Sequence, residues 1–514
     1  MQAILRNPTA RQLVERAAPQ PDPRDRTRSV SVLEVCRIWQ LGFCPFDELY
    51  YRDERDLAEH YAQDFGFQPR SDPLGDLSRS VLDSLTAQAS LGELPELMPS
   101  AGFTEKREGV REHLERVVLQ DAVGVPAGSR LEVFGSSANG FGGDGADLDM
   151  CIMYPSNVNP PESQAEVIEA IAERLEALGA HEASREKAKG LGRAVSSRST
   201  ARIPIVLFKE AATGLECDIS VMNPLAVRNT QLLKAYGAVD KRVRELAFIV
   251  KHWARRRCIN NASEGTLSSY GYLLFLLHFL QTRQPPVVPN LQALPPDWAG
   301  QPSAPGPPPH GLPRMMTKHP TEDQQCNTYF FDPKQTALAG AKIAASSALT
   351  AFASRNQESV GQLLAGFLRY FAWELDSRQH VVSVRLGGLA DKECKAEADC
   401  WPVHTRLSIE DPFEPWYDVS HVLKWERYRH VRMEFARAYT LICEAGGGGG
   451  LGGGGGGLLE ELCAQADPPP FLRTAAGGGN DAAAAAAAAA AAQEAGEDEV
   501  AERLRLVDLG AGAA

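Results

Sequence analysis

The sequence predicts an α+β protein: a mixed sheet with helices, followed by a mostly helical domain, with disordered tails. Three observations predict it. Strand-like runs recur between residues 130 and 222 around a glycine-rich stretch. From Pro224 onward the apolar residues fall at helical spacing. At both ends the composition loses the apolar residues that a core needs.

Taken in order, residues 1–30 are polar, with Pro and Arg, and read as a tail. Residues 31–66 hold helix-like stretches with aromatics, and 67–100 are mixed. Residues 1–101 are therefore expected to be an N-terminal extension, partly disordered. An amphipathic helix follows over Thr104–Leu119, with Val110, Leu114, Val117 and Val118 on one face. Residues 102–121 are expected to belong to the helical central domain.

The sheet-bearing domain is expected over 122–228. Its strands are Arg130–Phe134, Leu148–Tyr154, Ala201–Lys209 and Leu215–Met222. A helix over Glu162–Leu178 places Val167, Ile168, Ile171 and Leu175 at helical spacing. The helical domain is expected over 229–443, through Leu232–Arg257, Ser268–Thr282, Leu363–Asp376 and Val422–Cys443. Residues 285–313 hold eleven prolines, cannot be regular structure and read as a surface loop. After Glu444 come eleven glycines around Leu451, eleven consecutive alanines (Ala482–Ala492) and an acidic segment. Residues 444–514 read as a low-complexity tail without a core.

The chain has 514 residues, 44% of them hydrophobic and 23% charged, enough for two to four domains of roughly 100–200 residues each. The longest strongly apolar stretch, Tyr270–Leu280, has 11 residues. A membrane-spanning helix needs roughly 20, so no membrane role is expected. The ten cysteines are scattered, several inside apolar runs, as in a reducing compartment. No secretory signal opens the sequence, and Glu15, Asp22 and Asp25 speak against a mitochondrial transit peptide. A cytoplasmic location is expected, with nucleus or mitochondrion as alternatives. The net charge of -13 argues against a nucleic-acid partner only on its face, because charge is segregated. Seven Lys/Arg lie between Lys241 and Arg257 against one Glu, and seven more between Arg185 and Lys209. Phosphate responds to the local field.

The informative segment is Val133-Phe134-Gly135-Ser136, ten residues, then Asp147-Leu148-Asp149. A strand runs into a Gly-Ser turn, and a second strand begins with carboxylates at i and i+2, on one face. Leu148 and Met150 then pack on the other. Two adjacent carboxylates repel unless a cation lies between them, and hard oxygen ligands suit Mg²⁺ or Mn²⁺. Taken alone, Asp-x-Asp is equally a solvated strand end. A third acid, Asp218, stands among apolar Cys217, Ile219 and Val221, where a lone buried charge is costly. Three carboxylates on neighbouring strands make a two-metal site for phosphoryl chemistry. The Gly-Ser turn offers N–H groups and a hydroxyl to a triphosphate.

This pattern resembles the DNA polymerase β nucleotidyltransferase superfamily. Cys217–Tyr236, Val250–Asn260, Gly265–Gln281 and Pro285–Gln292 are similar to the corresponding motifs of noncanonical poly(A) polymerases and terminal uridylyltransferases. Ser359–Asp376 and Ile409–Pro415 resemble the poly(A)-polymerase-associated module of the same family. The likeness runs in order over about residues 105–440.

The resemblance implies a polymerase β-like palm joined to a helical central and associated domain. It implies metal ligation and catalysis by Asp147, Asp149 and Asp218, with Asp218 also facing the RNA 3′-hydroxyl. Phe134 and Gly135 would carry Ser136 to the β/γ-phosphates. Lys251 and Arg255, one helical turn apart, would neutralise triphosphate and pyrophosphate. Asn223 would contact the ribose 2′-hydroxyl, and Asn229 and Thr230 would approach base or sugar. Ser269 would touch phosphate and Tyr270 would stack on the base. Asp411, Glu414 and Tyr417 would line the base edge, and Arg202 and Lys209 would contact RNA.

Two departures stand out. Uridine-selective members typically carry His three residues beyond the acid at Glu414, and here Tyr417 stands there. Ala146 replaces the Ser that commonly precedes the first Asp. The function implied is template-independent uridylyl transfer from UTP to an RNA 3′ end, with pyrophosphate released. A poly(A) polymerase using ATP and an inactive RNA-binding scaffold are the alternatives. A monomer is expected, and a partner protein could supply the target RNA. Two fragments, Cys36 with Cys44 and Cys394 with Cys400 and His404, each lack a fourth ligand, so no structural zinc is expected. His278, inside an apolar helix, reads as a core residue.

Overall fold

The computed structural model describes residues 77–89, 97–119, 122–186, 195–298, 314–317, 324–332, 334, 339–377, 379–399, 401, 407–423, 425–445 and 457–467. The expectations for residues 1–76, for the alanine run and for Cys36, Cys44, Cys400 and His404 lie outside them.

The chain opens with α1 (Arg79–Gln88) and α2 (Phe103–Val118). The sheet domain follows with β1 (Arg130–Phe134), a single turn α3 (Ser136–Asn139), β2 (Leu148–Met153), α4 (Gln164–Glu186), β3 (Ser196–Arg198), β4 (Ile205–Lys209) and β5 (Glu216–Val221). Next come α5 (Pro224–Val239), α6 (Lys241–Arg256), α7 (Ser269–Thr282) and a hairpin of β6 (Arg314–Thr317) and β7 (Gln324–Asn327). The last part holds α8 (Ala339–Ala353), α9 (Val360–Arg369), a hairpin of β8 (His380–Ser383) and β9 (Gly388–Asp391), α10 (Lys392–Asp399), α11 (Trp425–Ala445) and α12 (Leu458–Leu462).

The five-stranded sheet has the order β1-β2-β5-β4-β3. The central pair β2–β5 is parallel and the other pairs are antiparallel. Strand alternation divides its two faces. Leu148, Met150 and Ile152 join Cys217, Ile219 and Val221 in one core with Val110, Leu114 and Val118 of α2 and with Val167, Ile168 and Ile171 of α4. The alternate positions, Asp149 and Asp218, fall on the face left free of that core.

The second core is helical and aromatic. Trp253, Phe275, Phe367 and Phe371 surround Phe435 of α11, with Phe371 and Phe435 edge to face at 4.3 Å. His278 belongs here: it is fully buried, its Nε2 lies 3.0 Å from the Tyr370 hydroxyl, and burial pushes its pKa down to about 4.

Several boundaries differ from the sequence reading. Residues 102–121 were expected in the central domain, yet α2 packs its apolar face on the sheet. The helical run ending at Arg257 is two helices, broken at Asp240, whose extended backbone lets its side chain accept from the Arg242 N–H at 2.8 Å. Residues 285–298 lack regular structure as expected, but they are not a surface loop: Val287, Val288, Leu291 and Trp298 are buried.

Parts of both presumed tails are core. Val81 and Leu85 of α1 pack in the helical lobe, where Thr86 Oγ1 lies 2.7 Å from Ser359 Oγ. Leu458, Leu459 and Leu462 of α12 are buried in the same core. The segment is held by Arg256 Nε to the Cys463 carbonyl at 3.0 Å and Arg257 Nη1 to the Ala464 carbonyl at 2.7 Å. Much of the basic cluster at 241–257 therefore serves the fold. Arg242 also bonds carbonyls of Ala353, Asn356 and Glu358, and Arg257 pairs with buried Glu434 at 2.7 Å. Among the described residues no helix is long and apolar enough to cross a membrane.

Candidate active site

The acidic centre is built by strand register. Asp149 on β2 stands opposite Asp218 on the parallel strand β5, and Asp147 is two residues before Asp149. No hydrogen bond or ion pair reaches these three carboxylates among the described residues. Burial, then Asp218, then Asp147 raise the Asp149 carboxyl to about 7. Burial and Asp147 raise Asp218 to about 6, against the opposing pull of Arg198. Asp147 is raised mainly by burial and by Glu216, and lowered by Arg255 and Arg107. Such a set is electrostatically unfinished.

The turn after β1 is tailored to this centre. Gly135 has φ +66°, and a Cβ there would lie 2.1 Å from Asp149 Oδ2. Only glycine fits both the conformation and the approach. The Gly135 N–H donates to Thr230 Oγ1 at 2.9 Å, and the Thr230 hydroxyl donates to the Ala226 carbonyl at 2.9 Å. Thr230 is thus a buried brace of the Gly-Ser turn. Ser136 opens α3 directly after Gly135, and Phe134 pairs with Asp149 in register.

Arg107 is a positioning residue that the sequence reading missed. Its Nη2 donates to the carbonyls of Ala146 at 2.6 Å and Asp144 at 3.1 Å, and its Nε to Ser137 Oγ at 3.0 Å. It fastens the glycine-rich loop immediately before Asp147. Lys251 acts on the same loop: its buried ammonium donates to the Phe141 carbonyl at 2.6 Å. Burial and then Arg255 lower its pKa to about 8. Arg255, one turn on, is exposed.

A cavity of about 730 Å³ opens beside β5, lined among others by Arg202, Asn223, Asn229, Asp411, Glu414 and Tyr417. The sequence separates these residues widely, and the fold brings them to one wall. Asn223 caps α5, its Oδ1 accepting from the Ala226 N–H at 3.3 Å. Asp411 Oδ2 accepts from the Tyr270 hydroxyl at 2.9 Å and from Asn229 Nδ2 at 3.4 Å. Asn229 Oδ1 is buried without a partner. Asp411 Oδ1 takes the N–H groups of Phe413 and Glu414, and burial raises its carboxyl to about 6. Ser269 is engaged with Asn260 at 3.0 Å.

Beneath this wall lies a buried ion cluster that the sequence did not signal. Glu410 accepts from Lys395 Nζ and Arg385 Nε, each at 2.6 Å, and Lys395 also bonds the Pro415 carbonyl at 2.7 Å. The two residues proposed for RNA are elsewhere engaged. Lys209 pairs across strands with Glu216 at 3.6 Å. Arg202 reaches into the cavity and pairs with Glu414 at 2.5 Å.

The donor set fits divalent cations: hard oxygens, three carboxylates on one face, no competing partner. Among the described residues no three acidic, His or Cys side chains are already gathered around one point. Mutual repulsion keeps such donors apart until a cation offsets it.

Comparison with known proteins agrees with this geometry. Residues 92–238 match the central palm domain of mitochondrial-like poly(A) RNA polymerase, and residues 359–416 match the Cid1 family poly A polymerase domain. The chain is 33% identical over 353 residues to human (Homo sapiens) Terminal uridylyltransferase 7, an overlap of 68% of this chain and 20% of that protein. It is 31% identical over 340 residues to Poly(A) RNA polymerase GLD2 of Danio rerio, 66% of this chain and 58% of that protein. The chain thus spans about a fifth to three fifths of the length of these curated relatives. Among solved structures, the Cid1 poly(U) polymerase bound to Mg 3′-dATP superposes with a TM-score of 0.54 and 25% identity, covering 76% of this chain and 99% of that one. With its palm, the acidic triad that the palm carries and its associated module, the chain belongs to the family of terminal uridylyltransferases and noncanonical poly(A) polymerases.

Proposed function

We propose that the chain extends RNA 3′ ends without a template, transferring UMP from UTP with release of pyrophosphate. The observation that carries the reading is the unpartnered Asp147–Asp149–Asp218 set; a cavity lined by Asn223, Asn229, Asp411, Glu414 and Tyr417 opens past the end of β5, the strand that carries Asp218. Relatives of both kinds, uridylyltransferases and poly(A) polymerases, support nucleotidyl transfer to RNA.

Asp147, Asp149 and Asp218 would hold Mg²⁺ or Mn²⁺, which supplies charge neutralisation at the phosphorus and at the attacking and leaving oxygens. Asp218 would also face the RNA 3′-hydroxyl and take its proton as it attacks. Gly135 and Ser136 offer backbone N–H groups and a hydroxyl to the triphosphate. Arg255 stands by the acidic centre as a counter-charge for pyrophosphate, and Lys251 and Arg107 fix the loop beneath it. Asp411 orients Tyr270 and Asn229 at the nucleotide.

UTP is the proposed nucleotide because identity to the uridylyltransferase is 33% against 31% to the GLD2 poly(A) polymerase, and because the chain superposes on a poly(U) polymerase. The test is extension of a short 3′-hydroxyl RNA with Mg²⁺ or Mn²⁺ and each nucleoside triphosphate supplied separately. A ladder with UTP well above that with ATP is expected. An ATP ladder alone would make the chain a poly(A) polymerase. No ladder with any nucleotide would leave the scaffold reading.

A further inference from the structure

We infer that Arg202 is a specificity residue of this site, supplying the hydrogen-bond donor that favours a uracil carbonyl over an adenine amino group. The inference rests on the nucleotidyl-transfer reading and deepens it.

Arg202 lies in the turn between β3 and β4 of the palm, yet its side chain crosses to the helical lobe. Nη2 donates to Glu414 Oε1 at 2.5 Å, and the guanidinium carbon sits 4.4 Å from the centre of the Tyr417 ring. Among the described residues that line the cavity, Arg202 is the one cationic side chain. Asn229 on the same wall, and Tyr270 behind it, both donate to Asp411 Oδ2.

The chemistry follows from the inventory of groups. A guanidinium carries five N–H donors and no acceptor, and it stays protonated. One donor is taken by Glu414, and the contact of the guanidinium with the Tyr417 ring face helps hold it in the cavity. In this chain the Tyr417 ring carries a cation brought from the opposite domain.

Arg202 and Glu414 together present a donor beside an acceptor. A uracil edge complements them, with O4 accepting from Arg202 and N3–H donating to Glu414. Adenine offers the reverse order, an exocyclic amino group and an accepting ring nitrogen. Its amino group would then face a guanidinium, donor against donor, and one of them would stay buried and unpaired.

The test uses the full chain with Arg202→Met and Arg202→Lys, measuring kcat/KM for UTP and for ATP and KM for RNA. Arg202→Met is expected to lower the UTP-to-ATP ratio by about tenfold or more, with little change in KM for RNA. Arg202→Lys should keep part of the preference, because a donor remains. Melting temperatures without nucleotide check that both variants fold. An unchanged ratio with a raised KM for RNA would overturn the inference and assign Arg202 to RNA. A ratio that rises would overturn it too, placing the guanidinium on the adenine ring nitrogen. If the wild type extends RNA with no nucleotide, the transfer reading itself fails. The inference is then decided by the Mg²⁺-dependent thermal shifts with UTP and ATP. Arg202→Met should narrow their difference, and an unaltered difference would overturn it.

Discussion

On the palm side of the cleft, Asp147, Asp149 and Asp218 have no hydrogen-bond partner among the described residues. On the helical side, the carboxylates of residues 410–418 are tied down. Glu410 holds Lys395, Arg385 and Ser383, and Asp411 takes two backbone N–H groups and two side chains. Asp418 Oδ1 accepts from Ile409, from the Ser420 N–H and from the Ser420 hydroxyl. The difference separates two uses of the same side chain. Under the proposed function, carboxylates left unpaired keep their lone pairs for a divalent cation. Carboxylates held by several donors each make a rigid loop on the cavity wall.

The largest effect is expected from the unpaired side. Asp149→Asn removes a proposed metal ligand without changing size, and nucleotide addition should fall by at least about a hundredfold. The same variant sharpens the comparison through stability. The folded-state carboxyls of Asp149 and Asp218, at about 7 and about 6, lie above the unfolded value of about 4. The native state then binds more protons, so metal-free protein should lose stability as pH rises from about 4 through about 7. Asp149→Asn should weaken that loss, and Mg²⁺ at pH 8 should raise the melting temperature of the wild type far more than that of the variant.

The saturated side should respond differently. Glu410→Gln leaves the buried Lys395 ammonium without its main counter-charge, and one-sided loss of a buried pair costs about 3–5 kcal/mol. A lowered urea midpoint is expected, with no loss of metal-dependent thermal shift. Next in size, Leu459→Ala removes a buried side chain that the chain brings from beyond its glycine run. It should cost about 2–5 kcal/mol and leave the nucleotide ratio unchanged. The smallest effect belongs to Thr230→Val, which deprives the Gly135 N–H of its acceptor. About 1 kcal/mol of stability is expected to go, with a reduced kcat at unchanged RNA binding.

Much of the palm was legible because its signals are local. The strand over Arg130–Phe134 and the start of β2 at Leu148 follow from alternation around the carboxylates. The position of Arg107 on the buried stripe of α2, between Phe103 and Val110, was a readable sign that it serves the interior. The cap at Asp240 was also readable, since Asp before a helical run ends one helix and starts another. Other features were not legible. α12 spans five residues, too few for a period, and its partner α1 lies over 350 residues earlier. The short hairpins β6–β7 and β8–β9 carry four-residue strands with no clear alternation. Charge alone could not say that Arg202 turns inward to Glu414 while Lys209 stays on its strand.

The most direct test of the acidic centre compares wild type with Asp218→Ala on one labelled 3′-hydroxyl RNA, with UTP and Mg²⁺, following extension on a gel and RNA retention by filter binding. Extension by the wild type, none by Asp218→Ala, and RNA retained by both are expected. Extension that survives in Asp218→Ala would contradict the role proposed for Asp218.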